Sequence, residues 1–154
     1  MTNLNKKIVV FIKPNFLSFR EDIIQMFKSL GLWTEIFHIE AVKKNLIEEL
    51  YLEHQGQWYY EELIEYYEDK KIIVIFLSWS DLMNKVSKIV GDKDPLKADK
   101  DTIRGIFSRD SLEKANKEKR LINNVIHFQE DEKKMDAEVK MFENLRKDWF
   151  LNSL

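Results

Sequence analysis

Near the C-terminal end, the stretch NNVIHFQED at 123–131 places one histidine, His127, directly after an apolar pair and ahead of an acidic segment that opens a helix. The chain has only three histidines and no cysteine, so thiol nucleophiles, disulfides and cysteine-based zinc sites are excluded. A neutral imidazole is plentiful near pH 7, and its lone pair can attack an electrophile or take a proton. Taken alone, a histidine there more readily caps a strand end. Its chemistry depends on which groups converge on it, and so on the elements that carry them.

The 154 residues suffice for one domain with its own core. Apolar residues make up 44% and charged residues 34%, as in an ordinary soluble globular protein. Lys and Arg number 25 against 27 Asp and Glu, a net charge of −2. That balance argues against nucleic acid or an anionic membrane as the principal partner. The apolar run IVVFI near the start is too short for a signal-peptide core or a membrane span, so a cytoplasmic location is expected.

Residues 7–13 read as a buried strand, short, β-branched and ended by Pro14. Ser18 and Glu21 have the spacing of a capping box, Ile23, Phe27 and Leu30 recur at helical spacing, and Gly31 stops that helix. A second strand is expected over 33–42. Two helices follow, with Ile47 and Tyr51 sharing a face in one and Leu63 and Tyr67 in the other. The run IIVIFL within 71–78 is the plainest buried strand, and 81–90 reads as an amphipathic helix stopped by Gly91. NVIH is a short fourth strand, and Met135, Val139 and Phe142 mark the last helix. Without its helical insertions this order is βαββαβ. It predicts an α+β, ferredoxin-like fold, a four-stranded antiparallel sheet covered by helices, in a single domain over 1–154. Segment 108–122 has 15 residues, eight of them charged, and reads as a solvated, mobile loop excursion.

Four separated segments, read together, resemble the nucleoside diphosphate kinase family. They are Lys13-Pro14; the run YLEHQGQWYY from Tyr51 to Tyr60; GDKDP followed by TIRG from Thr102 to Gly105; and NVIH with Glu138 beyond it. The resemblance covers nearly the whole chain in the family's order and spacing. It implies transfer of the terminal phosphoryl group of a nucleoside triphosphate such as ATP to a nucleoside diphosphate, through a phosphohistidine. Mg2+ is then expected as cofactor, held mainly by the nucleotide phosphates, with no metal site of the protein's own. By the same resemblance His127 is the nucleophile, Glu138 orients its ring, and Tyr51 lies near it. Lys13 and Arg104 bind phosphate, Asn124 contacts sugar and phosphate, and Tyr59 stacks on the base. Taken singly, Lys13 reads equally as a solvated strand end, Arg104 as a helix-surface charge, and Tyr59 as an aromatic packed between helices. The family also implies a homo-oligomer, with Pro95 in a loop that contributes to assembly.

Departures stand beside the matches. Asn15 replaces the family's aspartate after Lys-Pro, and Phe128 replaces the small residue that normally follows the histidine. Ser87 stands where a phosphate-contacting arginine is usual and Lys93 where a threonine is, with Lys88 or Lys93 able to restore positive charge. A catalytically impaired nucleotide-binding or assembly protein of the same fold is therefore the alternative to an enzyme. A ferredoxin-like RNA-binding module is disfavoured, because IIVIFL lacks exposed aromatics for stacking bases.

Overall fold

The computed structural model describes residues 6–78 and 82–152. Its sheet is built from β1 (Lys7–Ile12), β2 (Trp33–Ile39), β3 (Ile72–Ser78) and β4 (Ile126–Phe128), in the order β2-β3-β1-β4 with every pair antiparallel. Residues 8–12 of β1 and 72–77 of β3 are buried without alternation. An apolar strand with both faces buried needs cover on both sides. The helices supply it: α1 (Arg20–Ser29), α2 (Lys44–Leu50), α3 (Tyr60–Tyr67), α4 (Leu82–Val90), α5 (Ile103–Phe107), α6 (Leu112–Lys117) and α7 (Glu132–Asn152). The expected α+β, ferredoxin-like arrangement is present. Among the described residues no helix is long and apolar enough to cross a membrane.

Local differences from the sequence reading have physical causes. The capping box does not form. A 3-10 turn over Pro14–Phe19 feeds straight into α1, and the Arg20 amide donates to the Leu17 carbonyl of that turn. The preceding turn thus supplies the start of α1 with an acceptor, and Phe19 stands at the N-cap with no side-chain bond. The second strand stops at Ile39 rather than 42, because Val42 leaves the sheet edge and exchanges backbone hydrogen bonds with Asp69 and Lys70. Segment 108–122, expected as a loop, contains α6, with Ser111 accepting from the Lys114 amide at its N-cap and Ala115 buried. Asp81, the expected first residue of α4, lies outside the described residues.

Candidate active site

Strand β4 is three residues long, and its alternation decides what faces what. His127 pairs across the sheet with Phe11, and Phe128 pairs with Val10. Successive side chains point to opposite faces, so Phe128 leaves from the face opposite the imidazole and is 8% exposed within the core. Its ring is therefore not beside the imidazole, although Phe128 is among the residues that line the same cleft. The imidazole lies flat on the Phe11 ring, with centroids 4.6 Å apart and planes 13° from parallel.

Both imidazole nitrogens have assigned neighbours. Nε2 lies 3.0 and 3.1 Å from the two carboxylate oxygens of Glu138, a buried residue of α7. The carboxylate can only accept, so the proton sits on Nε2 and the lone pair on Nδ1. Nδ1 is 3.4 Å from the Tyr51 hydroxyl, which lies 3.3 Å from the Tyr67 hydroxyl. Burial raises both phenols well above their ordinary range, so they remain protonated and hydrogen-bonding at neutral pH.

The backbone entering β4 is strained. Val125 has φ +77°, and the Ile126 amide donates to the Asn124 carbonyl at 2.9 Å, closing a tight turn about a β-branched residue. Such a conformation persists only where its surroundings hold it. Here Arg104 holds it. Its Nε donates to the Asn124 carbonyl at 3.2 Å and its Nη2 to the Ile126 carbonyl at 2.9 Å, one on each side of Val125. Nη1 donates to the Gly91 carbonyl at 3.1 Å, and the guanidinium is 4% exposed. Gly91 has φ +87°, and a Cβ there would stand 2.5 Å from the Thr102 hydroxyl, so this junction requires glycine. Burial lowers the Arg104 pKa to about 10, against the opposing pull of Glu130 and Asp92, and leaves it cationic at pH 7.

The turn aims Asn124 into the site. Its Oδ1 accepts from Lys13 Nζ at 2.5 Å and its Nδ2 donates to the Lys93 carbonyl at 3.0 Å. Lys13, just past β1, is anchored by its amide on the Val125 carbonyl. Burial, then the Arg104 charge, lowers its pKa to about 7. Lys93 also lines the site, and its ammonium has no hydrogen bond or ion pair among the described residues. Ser87 is half-buried and does not line it.

These groups open on a cleft of about 520 Å³. Of the seven residues singled out from sequence, Lys13, Tyr51, Tyr59, Arg104, Asn124 and His127 line it, and Glu138 stands behind the histidine. Tyr59 ends the turn before α3, packs edge-on against Trp58 and hydrogen-bonds His54 through its hydroxyl. A second groove of about 600 Å³ between β2, α2 and α7 holds none of the seven. The strained turn, the Phe11 platform, the Tyr67 hydroxyl and the lining supplied by α6 escape a reading of sequence. Only the proximity of TIRG to NVIH hinted at the Arg104 clamp.

A ferredoxin-like sheet that presents a histidine, backed by a carboxylate, to a cleft lined by two lysines and a buried arginine is the architecture of a phosphotransferase. The nucleoside diphosphate kinase family model matches residues 6–146, and the chain belongs to that family. It is 31% identical to the nucleoside diphosphate kinase of Sulfurisphaera tokodaii over 141 residues, covering 89% of this chain and 88% of the relative. It is 27% identical to that of Thermosipho africanus over 139 residues, covering 89% and 88%. Its fold matches the Borrelia burgdorferi nucleoside-diphosphate kinase solved as a transition-state mimic with vanadate and ADP, with TM-score 0.81 and 23% identity over 89% of this chain and 86% of that one.

Proposed function

We propose that this chain transfers the terminal phosphoryl group of a nucleoside triphosphate, ATP included, to a nucleoside diphosphate through a phosphohistidine on His127 Nδ1. The observation that carries this reading is the pairing of His127 Nε2 with both Glu138 carboxylate oxygens, which places the proton on Nε2 and leaves the Nδ1 pair, 3.4 Å from the Tyr51 hydroxyl, for attack in a cleft also lined by Lys13 and Arg104. In the first half-reaction the Nδ1 pair forms a bond to the γ-phosphorus. The bond from that phosphorus to the β–γ bridging oxygen breaks, and its electrons leave with the diphosphate. Nε2–H stays on Glu138, whose negative charge stabilises the positive ring that develops. The second half-reaction reverses these steps onto another diphosphate. Lys13, Lys93 and Asn124 bind the phosphates, Arg104 holds the turn that aims Asn124, Tyr51 positions the imidazole, and Tyr59 stacks on the base.

Among the described residues no group of three or more His, Asp or Glu side chains could hold a metal. Mg2+ is proposed to be held mainly by the nucleotide phosphates, as the family resemblance implies. Lys93 supplies cleft charge where Ser87 cannot, and the Phe128 ring packs into the core away from the imidazole, although Phe128 also contributes to the cleft lining. Both considerations favour the enzyme over the impaired alternative. The protein is proposed to act in the cytoplasm. A homo-oligomer is proposed as well, because edge strand β2 exposes Trp33 on one face and Ile36 on the other, apolar side chains that a second copy pairing along that edge would cover. The test is initial-rate kinetics with both substrates varied. Parallel double-reciprocal lines, the pattern of a two-step exchange, are expected; intersecting lines would mean direct transfer between two bound nucleotides.

Lys13 makes a second test. With a pKa of about 7 it is mostly neutral at pH 8 in the free protein. A phosphate beside it favours the ammonium, so diphosphate binding at pH 8 should take up close to one proton, roughly 0.9 if the pKa returns to its ordinary value. Calorimetry in two buffers of different ionisation enthalpy reads this uptake, which Lys13→Met should abolish. Equal binding enthalpies in both buffers would contradict it. The folded pKa lies below the unfolded one, so the free protein should also gain stability from this group as pH rises from about 7 toward 10.5.

A further inference from the structure

The excursion at 108–122 takes no part in the proposed phosphoryl chemistry, yet it is a built part of the cleft. The Arg120 guanidinium grips both carboxylate oxygens of Asp110, at 2.6 and 2.8 Å. Asp110 accepts the Asn123 amide at 2.8 Å, and Ser108 donates to the Asn123 carbonyl. The excursion is thus tied to the residue preceding Asn124, with buried Ala115 seating α6 on the body. Leu112 and Asn116, one helical turn apart on α6, line the cleft that Trp58 and Tyr59 also line.

Lys13, Asn124, Lys93 and Arg104 are bound to one another or to the turn around His127, which assigns that end to phosphates. The aromatics and the α6 residues remain for the base. A stacked ring cannot tell one base from another, because every base offers a flat face. An amide can, since it holds donors and an acceptor on one plane. The Asn116 side-chain amide has no hydrogen bond among the described residues and is exposed in the cleft.

We infer that Asn116 reads the edge of the nucleobase, making α6 an element that ranks nucleoside diphosphates by their amino and keto groups. This rests on the phosphotransfer site proposed above. The test is the equilibrium affinity of the full chain for ADP, CDP, GDP and UDP by calorimetry, which requires no turnover. Asn116→Ala should contract the spread of the four dissociation constants by about fivefold, the worth of one neutral hydrogen bond. Asn116→Asp keeps the acceptors and loses the donors. Its added negative charge weakens all four alike, but bases that donate to position 116 through an amino group or ring N–H should gain severalfold over bases that accept there through a keto oxygen or ring nitrogen. A purely structural role for Asn116 would move all four together. Unchanged affinity ratios in both variants, with tight binding intact, would overturn the inference and leave the phosphotransfer site standing. Failure of the wild type to bind any of the four would overturn both.

Discussion

His127→Ala is expected to lower phosphoryl transfer by at least about 10⁴-fold while leaving diphosphate binding nearly intact. The size follows from the role. Orientation and charge stabilisation by the remaining groups cannot replace the atom that carries the phosphoryl group between substrates. The alanine also leaves the buried Glu138 carboxylate without its Nε2–H donor, a loss of about 1–3 kcal/mol in stability. His127→Gln is the cleaner partner variant, since its amide can donate to Glu138 and has no imidazole nucleophile. Activity lost in both, with the melting temperature lowered chiefly in the alanine variant, separates the chemistry from the packing. Retained transfer in either variant would remove His127 from the reaction.

Arg104→Ala should damage both stability and catalysis. One buried guanidinium serves the carbonyls of Gly91, Asn124 and Ile126, so its removal takes a donor from each, leaves the Asn124 carbonyl with the Ile126 amide alone, and releases the strained turn at Val125. The expected loss is about 3–5 kcal/mol in unfolding free energy. With the turn loosened, Asn124 and His127 no longer share a fixed frame with Lys13, and kcat/KM should fall by roughly 10²–10³. Arg104→Lys should recover little of either, because an ammonium on a flexible stem lacks the planar fork that reaches all three carbonyls. Denaturant unfolding beside steady-state kinetics reads both quantities. A lysine variant of full stability with only a raised KM would make Arg104 a simple phosphate contact instead.

That contrast shows where sequence suffices. The strands IVVFI and IIVIFL were legible because strands buried on both faces must be apolar at every position, and the structure pairs them directly. Lys13, Asn124 and His127 could be singled out because TIRG and NVIH keep a family spacing. The direction of the Arg104 fork could not. It depends on a backbone turn at Val125 whose positive φ runs against the preference of a β-branched residue. The helix in 108–122 was hidden by composition, since eight charges in 15 residues describe a solvated loop equally well. What makes it a helix is a Ser111 cap, one buried alanine and an ion pair closed across ten residues of chain. The Ser18 and Glu21 signal failed for the opposite reason: a correct local pattern was pre-empted by the turn that Pro14 begins.

The most direct test of the phosphohistidine is isolation of the half-reaction. The protein is incubated with γ-labelled ATP and Mg2+, stripped of free nucleotide, and divided. One portion is mapped for acid-labile, base-stable label, and the other is mixed with a different nucleoside diphosphate. The expected result is label on His127 alone, absent from His127→Ala and moving quantitatively to the added diphosphate. A wild-type protein that binds ATP and takes no label, or label that persists in His127→Ala, would contradict it.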